Sequence, residues 1–152
     1  MKKKVYLAGN ISSDPATYKW REEATVILEP KFIILNPAAN KFNRLLIKEH
    51  KADVEEFKKD AIKKSQGILI VKDYQLVAKS DIILVNQQII TPDKPMIGTL
   101  FELAWAWQLK IPVIAIAADN WYCNHPFPRA TFAARAETLK DACDLILYFF
   151  EE

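Results

Sequence analysis

Short runs of consecutive apolar residues alternate with longer stretches whose apolar residues recur every three or four positions. Continuous apolar runs are typical of strands buried in a parallel sheet, and the longer repeat is typical of amphipathic helices. Strands are predicted at 4–8, 32–35, 81–86, 113–117 and 144–149. Helices are predicted from Pro15 to about Leu28, and over 52–64, 66–79, 99–109 and 132–142. This alternation indicates an α/β domain with a mostly parallel sheet.

Three places along the chain need a choice between interpretations. The start of 66–79 is apolar enough for a strand, but no turn residues follow it before Ser80. A helix is therefore predicted there, with Asp73 as the polar residue of its apolar stripe. Residues 38–52 are basic and mildly amphipathic, and fit either a short helix or an ordered loop. Asp81 begins the next strand and is expected to cap the helix before it.

Composition and charge narrow the class of protein. A chain of 152 residues fits one domain, 1–152, and 51% hydrophobic with 26% charged residues is ordinary for a globular protein. A net charge of +2 gives no argument for binding a nucleic acid polymer or a membrane. Cys123 and Cys143 lack metal-ligand spacing. Neither a metal nor another cofactor is expected, and a cytoplasmic, reduced protein is the default.

The strand–helix–strand unit at 81–117 carries the first candidate for chemistry. Glu102 is predicted in the first turn of its helix, beyond the carboxyl end of the preceding strand, where open α/β sheets bind ligands. Gly98 lets a ligand approach the backbone closely. The helix N-terminus favours the ionised carboxylate that a nucleophile requires. An alternative needs no function, because Thr99 and Glu102 have the spacing of a capping box.

Asp73, Tyr6 and the turn after the first strand are further candidates. Asp73 is either a proton donor to a leaving group or an acid on a partly exposed rim. Tyr6 is expected in the core with its hydroxyl bonded to a partner. The turn GNISS at 9–13 either holds a phosphate or sugar through backbone N–H groups or is a plain tight turn.

The chain resembles the nucleoside 2-deoxyribosyltransferase superfamily, which includes related deoxynucleoside 5′-monophosphate N-hydrolases, in three stretches. These are VYLAG at 5–9, VKDYQLVAKSDIILVN at 71–86 and GTLFELAWAWQLKIPVIAI at 98–116. Their order and spacing make the set more specific than any one piece. The resemblance implies a flavodoxin-like fold, a five-stranded parallel sheet of order 2-1-3-4-5 with helices on both faces.

The resemblance also implies a retaining attack on an N-glycosidic bond. Glu102 matches the nucleophile that forms a glycosyl-enzyme ester, Asp73 the acid that protonates the departing base, and Tyr6 the aromatic residue near the nucleophile. The acceptor is a second nucleobase in the transferases and water in the hydrolases. Nucleoside 2′-deoxyribosyl transfer is the preferred activity. A (deoxy)nucleoside 5′-monophosphate N-glycosidase and a non-catalytic nucleotide-binding module are the alternatives.

The family pattern indicates which residues contact the substrate, with one departure. Met96 stands where the family often has Asp or Ser, six residues before the nucleophile, and Asp93 in the loop TPDKPM is the candidate to replace it. The related N-hydrolases also draw ligand contacts from a neighbouring subunit, and Asn124 in the long loop at 118–131 is a candidate for such a contact, although no family motif matches there. The substrate-binding candidates are Gly9, Asn10, Ile11, Asp93, Met96, Gly98 and Asn124.

The helix predicted at 99–109 is apolar around most of its circumference. Four of its residues are expected to face the sheet: Leu100, Leu103, Ala104 and Trp107. Phe101 and Trp105 then need a cover, either the loop at 118–131 or another subunit. The expected assembly is a homo-oligomer, and the expected ligands are a small nucleoside or nucleotide and a free nucleobase.

Overall fold

Five parallel strands form one sheet in the computed structural model, which describes residues 1–12, 14–39, 64, 67–91 and 93–151. In chain order they are β1 (Lys4–Gly9), β2 (Ile33–Leu35), β3 (Ile82–Asn86), β4 (Val113–Ile116) and β5 (Ala134–Ala136). The order across the sheet is β2-β1-β3-β4-β5. This order confirms the predicted flavodoxin-like α/β fold.

The described residues contain six α-helices and one 3-10 turn, Pro37–Ala39. The helices are α1 (Ala16–Leu28), α2 (Ile68–Ala78), α3 (Ile97–Leu109), α4 (Trp121–Asn124), α5 (Pro126–Ala130) and α6 (Leu139–Phe149). Helix α2 confirms the choice of a helix over a strand at 66–79. Most of the segment 38–52 and all of the helix predicted at 52–64 except Lys64 lie outside the described residues. None of the described helices combines the length and apolarity needed to cross a membrane.

Both faces of the sheet are covered because successive strand residues point to opposite sides. On one face, Leu7 of β1 belongs to an apolar cluster with Trp20 of α1 and residues of α6. On the other face, Tyr6 belongs to a cluster with Val77 of α2 and Leu103 of α3. Helices α2 and α3 therefore cover the face that carries Tyr6.

The carboxyl ends of the three central strands meet at one edge of the sheet. Gly9 of β1 lies beside Asn86 of β3, and Asn86 lies beside Ile116 of β4. At the opposite edge, a carboxylate oxygen of Asp81 accepts a hydrogen bond from the Lys4 N–H at 2.8 Å. Asp81 thus joins the start of β1 to the start of β3, and the predicted role as a cap of α2 is wrong.

The last two elements occur in the opposite order to the prediction. The chain forms β5 and then α6, so the predicted helix at 132–142 and strand at 144–149 are wrong. The Thr138 hydroxyl accepts a hydrogen bond from the Asp141 N–H at 3.1 Å and caps the start of α6. Helix α6 then buries Ile146 and its other core residues at helical spacing. The apolar run near the C-terminus is one face of this helix.

Helix α3 begins at Ile97, two residues earlier than predicted, and presents a different face to the sheet. Its buried residues are Thr99, Glu102, Leu103 and Ala106. Trp107 is 67% exposed and Ala104 is also exposed, so the prediction that both face the sheet is wrong. A helix that is apolar on nearly every side does not reveal its orientation by pattern, and here polar Glu102 faces inward.

Candidate active site

Tyr6 and Glu102 form a buried pair between the sheet and α3. The Tyr6 hydroxyl donates a hydrogen bond to Glu102 Oε1 at 3.0 Å. Tyr6 is fully buried and Glu102 is 7% exposed. Glu102 Oε2 is buried and has no hydrogen-bond partner among the described residues. One carboxylate oxygen is therefore held by the protein while the other is unpaired.

The electrostatics of Glu102 differ from the prediction. The pKa of this carboxyl is raised to about 8, mainly by burial and then by the Asp73 charge, whereas the Tyr6 hydrogen bond and the Arg21 charge act in the opposite direction. Glu102 is the sixth residue of α3, beyond the first turn where the helix dipole acts most strongly. The predicted first-turn position is therefore wrong, and burial outweighs any support for the ionised form from the helix end.

The capping-box alternative for Glu102 is also wrong. Met96 is the N-cap residue of α3, and no side chain caps this helix end. Thr99 lies inside the helix and is buried. Glu102 turns toward Tyr6 instead of back to its own helix N-terminus. A carboxylate that is buried without a capping role calls for another explanation.

Asp73 is the second carboxyl of the site and comes from α2. Its side chain is half-buried, and burial raises its pKa to about 6, opposed by the charge of Lys72. Asp73 is close enough to raise the pKa of both Glu102 and Tyr6 through its charge. The structure thus brings together the three residues predicted to be catalytic.

An aromatic contact fixes how α2 lies against α3. Tyr74 of α2 and Trp105 of α3 pack edge to face, with ring centroids 5.4 Å apart. Trp105 is therefore covered by α2 of the same chain, whereas Phe101 stays 50% exposed. Asp73 precedes Tyr74 in α2, so this contact packs the part of α2 that carries Asp73 against α3.

The turn between β1 and α1 is held by its own hydrogen bonds. Gly9 has φ +148°, and a Cβ there would lie 3.2 Å from the Asn86 carbonyl oxygen, so only glycine fits without a shift. The Asn10 side-chain amide donates to the Thr91 hydroxyl at 3.1 Å. The Ser12 hydroxyl accepts a hydrogen bond from the Asp14 N–H at 3.1 Å. The turn begins at Gly9, three residues after Tyr6 in the same strand, and Ile11 within it is half-buried.

Arg21 is a buried cation that the sequence analysis did not identify. It is fully buried in α1 and donates to the carbonyl oxygens of Gly9 at 3.0 Å, Asn10 at 3.2 Å and Thr17. Its guanidinium lies over the Trp20 ring, 4.6 Å from the centroid. The signal was present in the sequence, because Arg21 shares the helical spacing of the residues that α1 buries.

The other predicted substrate-binding residues lie before and in the first turn of α3 and at the end of α4, and the predicted long loop at 118–131 is wrong because it contains α4 and α5. The Met96 side chain is buried, and its carbonyl accepts a hydrogen bond from the Tyr122 hydroxyl at 3.2 Å. Asp93 is exposed with φ +61°. Gly98 is exposed, and a Cβ there would meet nothing within 4 Å. Asn124 is exposed and donates to Asp119 Oδ1 at 2.7 Å.

A large apolar cavity of about 930 Å³ lies between α3 and the segment that contains α4 and α5. Its lining includes Leu100, Trp107, Trp121 and Phe127. Glu102 is two residues after Leu100, so it lies about 200° around the helix and faces the opposite way. This cavity is therefore separate from the Tyr6–Glu102 pair. The described residues contain no group of three or more potential metal ligands.

Comparison with known proteins gives structural matches only. No model of a protein family matches the chain, and no curated protein matches its sequence. The 2-deoxyribosyltransferase of Bacillus psychrosaccharolyticus superposes with a TM-score of 0.61 at 16% identity, over 93% of this chain and 90% of that chain.

Two further solved structures share the fold. The CMP N-glycosidase of Clostridium botulinum superposes with a TM-score of 0.55 at 17% identity, over 97% of this chain and 100% of that chain. DNA processing protein A of Helicobacter pylori, which binds single-stranded DNA, superposes with a TM-score of 0.54 at 12% identity, over 98% of this chain and 82% of that chain. The fold of this chain is therefore one that a 2-deoxyribosyltransferase and a CMP N-glycosidase also adopt, in agreement with the resemblance found in the sequence.

Proposed function

We propose that this chain cleaves the N-glycosidic bond of a 2′-deoxynucleoside with retention and passes the deoxyribosyl group to another nucleobase. The observation that carries the proposal is the buried Tyr6–Glu102 pair, whose second carboxylate oxygen is unpaired among the described residues. Two proteins of the same fold support the class of reaction, because one is a deoxyribosyltransferase and the other a CMP N-glycosidase.

In the first half of the reaction, ionised Glu102 attacks C1′ of the sugar through Oε2. The bond between C1′ and the base nitrogen breaks, and the base leaves with a proton from Asp73. The product is an ester between the sugar and Glu102. In the second half, a nitrogen of the incoming base attacks C1′ on the face away from Glu102, the ester bond between C1′ and Oε2 breaks to release the carboxylate, and the base returns a proton to Asp73. The two inversions give net retention. Tyr6 keeps Oε1 fixed while Oε2 reacts.

The raised pKa values suit this exchange of one proton. The pKa of Asp73 is about 6 and that of Glu102 about 8, and the Asp73 charge contributes to the second value. Near neutral pH the coupled pair therefore holds one proton. The productive form carries this proton on Asp73, so the transition state must favour charge on Glu102. The developing positive charge on the sugar ring in the transition state provides that preference.

The described turn supports an uncharged 5′ end over a 5′-phosphate. A phosphate needs free N–H donors or an available cation. Both terminal nitrogens of Arg21, the buried cation beside this turn, already donate to backbone carbonyls. The CMP N-glycosidase among the structural neighbours keeps the nucleotide hydrolase as the second candidate.

Chromatography of two parallel incubations tests the proposal. One contains a deoxynucleoside and a different free base; the other contains the 5′-monophosphate without an acceptor. A new deoxynucleoside in the first supports the transferase, and free base only in the second supports the hydrolase. Glu102→Gln should lower turnover by at least about 10³-fold. Glu22→Gln removes an exposed carboxylate of α1 and should leave turnover unchanged.

Chemical rescue separates a nucleophile from a residue that merely shapes the site. Glu102→Ala opens space at the carboxylate, and added azide should then attack C1′, so that the sugar becomes a glycosyl azide and the base leaves with a proton from Asp73. A non-catalytic nucleotide-binding module would bind nucleosides equally well in both forms and release no base in either. That result, or unchanged turnover in Glu102→Ala, excludes the proposed mechanism.

We also propose that the chain works as a homo-oligomer with a nucleoside and a free nucleobase as its ligands. Several large apolar side chains beside the cavity of α3 are exposed, including Phe101, Trp107 and Phe127. Such a surface is typical of an interface between subunits. Both cysteines are free and buried, as expected for the proposed cytoplasmic location.

A further inference from the structure

Arg21 is unusual because it is a buried cation whose contacts are neutral. Its terminal nitrogens donate to the carbonyls of Gly9, Asn10 and Thr17, and its Nε has no hydrogen-bond partner among the described residues. Buried arginines are normally paired with a carboxylate, since an uncompensated buried charge is costly. No salt bridge to Arg21 occurs within the described ranges. Since no carboxylate among the described residues pairs with it directly, the Arg21 charge can act on ionisable groups farther away.

The carboxylate that this charge can stabilise is that of Glu102, which lies on the other face of the sheet. Arg21 belongs to α1, which packs on one face of the sheet, and it contacts the carboxyl end of β1 at Gly9. Glu102 packs on the opposite face and is bonded to Tyr6, three residues before Gly9 in the same strand. The Arg21 charge and the Glu102 charge stabilise each other across the strand.

We propose that Arg21 is a positioning residue for Glu102: it holds the β1–α1 turn through the Gly9 carbonyl, and it places a buried positive charge across the sheet from the carboxylate that Tyr6 of the same strand binds. Four groups from four elements act on this carboxyl or respond to it: Tyr6 of β1, Asp73 of α2, Tyr122 of α4 and Arg21 of α1. Burial and the Asp73 charge disfavour the ionised form of Glu102, and the Glu102 charge in turn raises the pKa of Tyr122. Of these four groups Arg21 is the only cation.

The effect of Arg21 on catalysis rests on the proposed function. The test therefore also measures the ionisation of Glu102, which can be followed without any turnover. Carbon-13 NMR of glutamate-labelled protein follows the ionisation of Glu102, whose signal is identified by its absence in Glu102→Gln. The Glu102 midpoint should rise by roughly half a pH unit or more in Arg21→Gln, because the cation is lost. It should rise by less in Arg21→Lys, which keeps the charge.

A matched control removes a positive charge from an exposed position of the same helix. Lys19 of α1 is exposed, and Lys19→Gln should leave the Glu102 midpoint unchanged. A purely structural Arg21 would lower thermal stability in both of its variants and leave the midpoint where it is in the wild type. That outcome overturns the proposal, whether or not the chain shows transferase activity.

The reciprocal measurement covers the case in which Arg21 variants do not fold. Burial lowers the pKa of Arg21 to about 10, and the Glu102 charge opposes this shift. The nitrogen-15 signals of the Arg21 guanidinium should therefore titrate at lower pH in Glu102→Gln than in the wild type. Identical titrations of the two proteins contradict the coupling. If the coupling is present, the alkaline limb of kcat/KM, where the pair loses its last proton, should move with the Glu102 midpoint in every variant that folds.

Discussion

The hydrogen bond between Tyr6 and Glu102 is the contact on which the proposed chemistry depends most directly. Tyr6→Phe removes the donor at 3.0 Å and leaves both Glu102 oxygens without a partner from β1. A hydrogen bond to a charged group contributes about 1.5–3 kcal/mol, so kcat/KM should fall by roughly 10- to 100-fold. The alkaline limb of the pH–rate profile should also move to higher pH, because this bond lowers the Glu102 pKa, which is the higher of the two values in the coupled pair.

Tyr74→Phe is the matched control for Tyr6→Phe. It removes a hydroxyl from a half-exposed tyrosine whose ring packs on Trp105, and the ring contact is retained. Its kinetics should stay close to those of the wild type. Equal losses in the two variants would mean that Tyr6 contributes only to packing.

Buried Glu102 should make the protein less stable as the pH rises. Its pKa is 4.5 in the absence of the fold and about 8 within it. Between these values the folded chain holds a proton that the unfolded chain has lost, so the contribution is complete below pH 4.5 and lost as the pH passes 8. The shift of Asp73 from 3.8 to about 6 acts in the same direction.

Urea unfolding at pH 5, 7 and 9, followed by circular dichroism, measures this dependence. The free energy of unfolding should decrease across the series, with an upper limit of roughly 4 kcal/mol from Glu102 alone. Glu102→Gln should flatten the series and be more stable than the wild type at pH 9, whereas Glu22→Gln should keep the wild-type slope. A wild-type protein that gains stability up to pH 9 would show that Glu102 is not buried in its neutral form.

At the scale of elements, the sequence predicts the strands and helices whose own residues show a clear apolar pattern. The first four strands follow from their apolar runs, and α2 follows from the absence of a turn before Ser80. The order of β5 and α6 does not, because three residues of β5 are too few to show a period and the apolar face of α6 also reads as a strand. Only pairing with β4 identifies β5.

Some features of the candidate site could likewise be predicted from the sequence, and others could not. The family resemblance predicts that Tyr6, Asp73 and Glu102 come together, and the structure places them together. The ionisation of Glu102 could not be predicted, because burial depends on the rotation of α3 and not on a local motif. Arg21 was missed because arginine is usually exposed, so its place on the buried face of α1 carried little weight.

At the scale of the whole molecule, the fold leaves the function open. The same architecture occurs in a deoxyribosyltransferase, a CMP N-glycosidase and a protein that binds single-stranded DNA. A shared fold therefore carries less weight for this chain than the geometry around Glu102. The proposed enzyme class rests on two buried or half-buried carboxyls and a tyrosine on one face of the sheet.

The exposed aromatic surface beside α3 leads to a prediction about assembly. Trp107 is 67% exposed and Phe127 is 79% exposed, and both line the apolar cavity between α3 and α5. A second copy of the chain would cover them, so sedimentation velocity should show association that increases with protein concentration. Placing a charge at the centre of an apolar interface is costly, so Trp107→Glu should weaken association by at least about 10-fold.

Tyr148→Glu provides the control for assembly, because Tyr148 is 73% exposed on α6, on the opposite side of the sheet. It should associate like the wild type if the aromatic surface of α3 forms the interface. Equal weakening in both variants would place the interface elsewhere or indicate more than one. A wild-type chain that stays monomeric at every concentration would contradict the prediction, because the exposed aromatic side chains would then not be covered by a second copy.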